Sequence, residues 1–340
     1  MSEFRRATLG EDFGYTPGEQ PPDGEGWVKL NTNESPLPPS PRVAPAIAAA
    51  TAALNRYPSP LGEPLRSAIA SHHGVDVEQV AVGNGADALI DACFAAFCEP
   101  GSSVVLTEPT YSLLEVAARI RAVDPVTVAL PDGGAPPPEF AQTHAPLRFL
   151  VNPNSPTGTW LEPADLATLL AGAAGVTVID EAYCDFAPRS CIPLLAANPS
   201  WLVLRTFSKA HGLAGLRVGY AVGAPGLIAD LLAVGESYPV DRCAIAGATA
   251  ALEDRDHHRA LVDAVRTERA RLGDALRARG WSVPPSQANF LCAQPPEAAG
   301  DVAARLRARR ILVRSFCGDG ARLRITVGTR SENDALLDAL

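Results

Sequence analysis

Short apolar runs that alternate with longer helical stretches constrain this chain more than any other feature of its sequence. Val80-Ala81-Val82, Val104-Val105-Leu106 and Thr177-Val178-Ile179 are of this kind and lack the polar alternation of a strand that faces water. Strands buried on both faces read this way, and they belong to parallel sheets covered by helices. The pattern predicts strands at 79–82, 103–107, 125–129, 147–151, 175–179, 201–205 and 218–222. Helices are predicted before them at 42–54 and 62–73, and between them at 86–97, 111–121 and 163–171. The fold class is therefore α/β, with a mainly parallel sheet.

The flanks differ from this central block. Residues 1–41 are rich in Pro and weakly periodic, as in Pro36-Leu37-Pro38-Pro39-Ser40-Pro41, and read as an extended arm. From about 225 helices dominate (225–235, 243–253, 256–279), and strands 289–293 and 322–326 flank a helix at 300–309. The organisation expected is an arm and small-domain segment at 1–41, a large domain at 42–235 and a smaller α+β domain at 236–340.

Composition excludes several function classes. With 47% hydrophobic and 20% charged residues over 340 positions, a sizeable core is expected and disorder is not. The net charge of −9 with scattered basic residues argues against nucleic acid as a partner, while leaving room for a local anion pocket. The seven cysteines (Cys93, Cys98, Cys184, Cys191, Cys243, Cys292 and Cys317) form no CxxC pair and no Cys/His cluster, so reduced thiols are expected and a metal site is not. Met1 to Arg6 is followed by no apolar run, and stretches such as Val43 to Leu54 are too short to span a bilayer. A cytoplasmic protein without a membrane partner is the expectation.

Three segments carry chemistry. Gly83-Asn84-Gly85-Ala86-Asp87-Ala88 follows a strand and opens a helix, which suits a phosphate on free N–H groups. It also fits the G-x-G-x-x-A dinucleotide fingerprint, with Glu108 after the next strand, or a plain tight turn. Arg205 to Arg217 places Thr206, Ser208, Lys209 and Arg217 together after a strand. A lysine amine can form an imine with an aldehyde once its pKa of about 10.4 is lowered, and the hydroxyls and guanidinium suit a phosphate beside it. Asp180 ends the strand Val178-Ile179-Asp180, where open α/β sheets bind ligands; there it would either cap a helix or hold a pyridine nitrogen protonated.

Taken together, these segments resemble the pyridoxal-phosphate aminotransferases of fold type I and, within them, the histidinol-phosphate aminotransferase family. Further matches are Lys29-Leu30-Asn31-Thr32-Asn33-Glu34-Ser35-Pro36, Arg56-Tyr57-Pro58, Glu108-Pro109-Thr110-Tyr111, Asn152 to Gly158 and Leu323-Arg324-Ile325-Thr326-Val327-Gly328. They run in family order over about residues 15 to 330. The resemblance implies pyridoxal 5'-phosphate as cofactor and a large domain with a seven-stranded-type sheet. Histidinol phosphate would be the amino donor and 2-oxoglutarate the acceptor, in ping-pong order.

The resemblance also implies roles for residues. Lys209 would form the internal aldimine and move the proton at the substrate α-carbon. Asp180 would pair with the ring nitrogen, Tyr183 with the ring oxygen, and Tyr111 would stack on the ring. Gly85, Ala86, Asp87, Thr206, Ser208 and Arg217 would hold the phosphate, with Tyr57 reaching in from the partner of a homodimer. Arg324 would bind the anionic end of the substrate, Arg314 and Tyr15 its phosphate, and Asn33 would line the site. Ser155 stands where the family usually has Asn, so Asn154, one place earlier, is expected to take that position. Segment 315–322 is shorter than usual and borders the substrate region. Three alternatives stay open: an aminotransferase for an aromatic or specialised-pathway amino acid, a threonine-phosphate-type decarboxylase, and the dehydrogenase suggested by the glycine motif.

Overall fold

The computed structural model describes residues 4, 6, 9, 13–22, 25–131, 134–315 and 320–340; Cys317 lies outside them. Its strands are β1 (Val28–Lys29), β2 (Val80–Asn84), β3 (Ser103–Glu108), β4 (Asp124–Ala129), β5 (Leu147–Val151), β6 (Val176–Asp180), β7 (Trp201–Thr206), β8 (Val218–Gly223), β9 (Phe290–Ala293), β10 (Ile311–Leu312) and β11 (Leu323–Thr326). The helices are α1 (Val43–Ala50), α2 (Leu65–His73), α3 (Gly85–Phe97), α4 (Leu113–Ile120), α5 (Glu139–Gln142), α6 (Pro163–Leu169), α7 (Pro225–Val234), α8 (Arg242–Glu253), α9 (Arg255–Ala278), α10 (Ala299–Ala308) and α11 (Arg330–Ala339).

Seven strands form the central sheet in the order β2-β8-β7-β6-β5-β3-β4. Every pair is parallel except those of β8, which runs antiparallel to both β2 and β7. Strands β5, β7 and β8 are buried along their whole length. Their residues alternate between two cores: Leu150, Val203 and Val222 face one, and Phe149, Leu202, Leu204 and Ala221 the other. Apolar runs without polar alternation have this cause. The edge strand β4 is largely exposed and carries Pro125 and Asp124, which discourage further pairing.

A second unit gathers around β9, paired antiparallel with β11, and around α10 and α11. Leu30, next to β1, is buried in its core with Leu272, Leu291, Val302 and Ile325, and β1 pairs in parallel with β10. Helix α8 packs against α1 and α2 and adds Ala244, Ile245 and Ala248 to the core of the large sheet. Sequence periodicity does not reveal β1, β10, α5 or α11. The first three are too short to show a period. α11 does carry a start signal, because Thr329 and Glu332 cap each other's backbone.

One close approach sets the geometry of the site. Gly219 of β8 lies against the first turn of α3: a Cβ there would fall 2.5 Å from the Ala86 nitrogen and 2.6 Å from the Gly85 carbonyl carbon. Backbone cannot yield as a flexible side chain does. Gly219→Ala should therefore cost about 1–3 kcal/mol in urea unfolding. Gly226→Ala, in open space on α7, should stay within about 1 kcal/mol of wild type. Equal midpoints for the two variants would contradict this account of Gly219.

Candidate active site

The ends of β2, β6 and β7 and the start of β8 meet at one edge of the sheet, and a cavity opens there. Asp180 closes β6, is 3% exposed, and accepts the Ala182 N–H through Oδ1 (2.9 Å). Lys209 stands three residues beyond β7 in a turn closed by Gly212 N–H to Lys209 O (3.2 Å) and Leu213 N–H to Phe207 O (3.1 Å). Its Nζ donates to Thr32 O (3.3 Å) and lies 5.9 Å from the centre of the Tyr183 ring.

An anion cradle lies beside them. Gly85 opens α3 at φ +77°, and a Cβ there would meet Arg217 Nη2 at 2.7 Å, so only glycine lets the guanidinium sit over the helix start. Arg217 itself has φ +52°, a left-handed conformation costly for a non-glycine residue. It donates to Asp87 Oδ2 (3.0 Å) and Ser208 Oγ (3.4 Å). Thr206 Oγ1 accepts the Ser208 N–H (3.1 Å), which turns the chain toward the same spot. Asp87 also takes the Tyr111 hydroxyl (3.2 Å).

The opposite wall comes from the arm and the C-terminal unit. Asn33, at φ +55°, donates through Nδ2 to Tyr183 Oη (3.0 Å), exchanges bonds with Thr326 Oγ1, and gives its carbonyl to Asn289 Nδ2 (3.0 Å). Arg324 donates to Ser155 Oγ (3.3 Å) and Asn31 O (3.1 Å). Its backbone pairs with that of Arg314, whose Nη2 donates to Thr16 O (2.7 Å). Tyr15 meets Tyr111 edge-on with centroids 6.0 Å apart, so the arm lies across the cavity mouth.

The structure thus brings Lys209, Asp180, Tyr183, Ala86, Asp87, Tyr111, Thr206, Ser208, Arg217, Tyr15, Asn33, Arg314 and Arg324 to one cavity, with Gly85 directly behind it. It does not bring Asn154 there. That amide is turned into its own loop, donating to Pro109 O and Thr157 Oγ1 (3.0 Å each), and Ser155 lines the cavity instead. Tyr57 is 76% exposed and stacks on Tyr238 (4.4 Å), outside the cavity of its own chain. Sequence reasoning gave no cavity role to Asn31, Thr32 or Thr110, which also line the cavity. The signal was present for all three, since each lies inside one of the matching motifs.

Two observations test whether pyridoxal phosphate fits. Burial pushes the Asp180 carboxyl up to about 6, with Asp87 and Glu181 adding to it and the Ala182 N–H and Lys209 opposing. A cationic ring nitrogen would relieve this buried carboxylate. The glycine-lined cradle of α3, Ser208 and Arg217 suits the phosphate tail. The residues fit the group.

Comparison with known proteins agrees in family and fold. The sequence profile of the family described as aminotransferase class I and II matches residues 25–340. Histidinol-phosphate aminotransferase 1 of Nostoc sp. is 40% identical over all of this chain and 98% of its own. Histidinol-phosphate aminotransferase 2 of Thiobacillus denitrificans is 44% identical over all of this chain and 97% of its own. Among solved structures, the histidinol-phosphate aminotransferase of Sinorhizobium meliloti in complex with pyridoxal-5'-phosphate superposes with a TM-score of 0.86 at 29% identity, covering 92% of this chain and 89% of that one.

The raised Asp180 pKa makes a signed prediction for the cofactor-free protein. Asp180 takes up a proton more readily folded than unfolded, where its value is 3.8. Stability is therefore highest below pH 4 for this group and is lost as pH rises through about 6. Asp180→Asn should match wild type near pH 4 and exceed it by about 3 kcal/mol above pH 7. Urea unfolding of both proteins across this range measures the difference; a constant difference would remove the buried-charge account.

Proposed function

Because the chain belongs to the class I and II aminotransferases, we propose that it moves the amino group of histidinol phosphate to 2-oxoglutarate with pyridoxal 5'-phosphate as cofactor. The observation that carries this is the meeting of Lys209, Asp180, an anion cradle and two arginines in one cavity. The full-length likeness to relatives named for this reaction supports the substrate.

When bound, the cofactor supplies an electron sink that weakens the bonds at the substrate α-carbon. Asp180 would hold the ring nitrogen protonated, and its burial would make that pairing strong. The Lys209 amine would hold the cofactor and would take and return the proton at the substrate α-carbon. Tyr183, steadied by Asn33, donates toward the ring oxygen. Tyr111 would cover the ring, and Ser155, which lines the cavity, would face it. The α3 amides at Gly85, Ala86 and Asp87, with Thr206, Ser208 and Arg217, clamp the cofactor phosphate. Arg324 and Arg314 take the anionic end of each substrate in turn, since a guanidinium fork matches phosphate and carboxylate alike. Tyr15 closes over them.

The working form is a homodimer in the cytoplasm. Leu54, Tyr57, Leu61 and Tyr238 are exposed apolar side chains beside an alanine-lined groove between α1 and α8. A patch of this kind supports burial against a second copy, which would bring Tyr57 to the partner's phosphate cradle. Among the described residues no helix is long and apolar enough to cross a membrane. The arm and small-domain segment, large domain and small domain are assigned to 1–41, 42–235 and 236–340.

A single-turnover experiment tests the substrate. Histidinol phosphate without any keto acid should bleach the visible band of the loaded protein, and 2-oxoglutarate should restore it. No bleaching would discard this amino donor in favour of an aromatic amino acid or phosphothreonine. Lys209→Ala should abolish turnover, and normal transamination by that variant would overturn the assignment. Sedimentation equilibrium should give twice the 35.6 kDa of one chain.

A further inference from the structure

Behind the cavity runs a chain of buried and half-buried polar side chains, none of which lines it. Arg205, on β7 and 6% exposed, donates through Nη1 to Glu181 Oε2 (3.1 Å) and through Nη2 to Asp185 Oδ1 (2.6 Å). Glu181, the neighbour of Asp180, is 1% exposed and also accepts from Ser190 Oγ and the Cys191 N–H (2.6 Å each). On the other side Asp185 Oδ1 lies 3.5 Å from His258 Nε2, in the first turn of α9. The His258 ring stacks on His211 with centroids 4.4 Å apart. His211 follows Lys209 by two positions, and its ring also meets Phe207 at 4.7 Å.

The chain of contacts therefore begins beside Asp180, ends beside Lys209, and passes through α9. Asp180 is still paired with Leu204 at the end of its strand, whereas Lys209 sits in a turn three residues beyond β7, outside the ladder. A buried ion triad is a poor source of stability, because well-packed apolar residues serve as well. What its forked, directional bonds supply is position.

We propose that Arg205, Asp185, His258 and His211 are positioning residues: they hold the Lys209 turn in register with Asp180 and anchor both to α9. This rests on the roles given to Lys209 and Asp180 above. Charge states agree with it. Burial would raise Asp185, but Arg205 and His258 outweigh it and hold the carboxyl well below its usual range. Burial, helped by His258, lowers His211 to about 3, so it acts as a neutral flat ring. A planar apolar ring should then replace it.

The test compares His211→Ala, His211→Phe and Asp185→Asn with Leu252→Ala, a core truncation on α8 away from the cavity. In the loaded enzyme His211→Ala and Asp185→Asn should lose roughly 10- to 100-fold in kcat, with KM within about twofold of wild type. His211→Phe should restore most of kcat, and Leu252→Ala should lower stability without lowering kcat. A kcat that follows stability across all four variants overturns the proposal, as does an unchanged kcat in both His211→Ala and Asp185→Asn. The circular-dichroism band of the bound cofactor, read without any amino donor, should weaken in these two and recover in His211→Phe. An unchanged band overturns the proposal even where histidinol phosphate proves the wrong donor, so the two failures are told apart. Should His211→Ala fail to fold, the near-isosteric Asp185→Asn decides alone by the same readouts.

Discussion

Parallel pairing of β5, β6 and β7 is the constraint on which the site depends, because it delivers successive strand ends to one edge of the sheet. Asp180 stands opposite Leu204 in that register, so the carboxylate and the Lys209 turn become neighbours without any long-range search. The reversed strand β8 completes the arrangement. Running antiparallel to β7, it begins where β7 ends, and Arg217 just before it comes to Ser208. β2 is reversed again, so its exit, and with it the start of α3, returns to the same edge. The anion cradle is thus a product of strand direction.

Charge is distributed within this frame against the character of the whole chain. The protein is acidic overall, yet its cavity receives Arg217, Arg314, Arg324 and Lys209. Asp180 is the buried exception, and it makes no ion pair among the described residues. Asp87 tempers the cradle by pairing with Arg217 on a partly exposed surface, where such a bond contributes little to stability. Its value lies in aiming the guanidinium.

Much of this was legible in the sequence. The runs that gave the sheet are legible because burial on both faces removes polar alternation, and Gly85 is legible because a left-handed helix start next to a guanidinium admits no side chain. Other features were not. Whether Asn154 or Ser155 faces the cavity depends on the path of an irregular loop, which no period encodes; here Ser155 lines the cavity while the Asn154 amide bonds to Pro109 and Thr157. β1 and β10 are two residues each and are strands only through one another. The pairing of Arg205 with His258 through Asp185 joins distant parts of the chain by packing, and each of those residues reads alone as an ordinary charged position.

The burial of Leu30 in the C-terminal core has a consequence for the order of synthesis. Residues 28–33 leave the ribosome early, but β10 and β11, against which they pack, come some 280 to 300 positions later. At translation rates of about 5–20 residues per second, that segment waits on the order of tens of seconds. The large sheet has all its strands by Gly223 and can form in the meantime. Asn33 and the arm can therefore close the cavity wall only after β10 and β11 have been made.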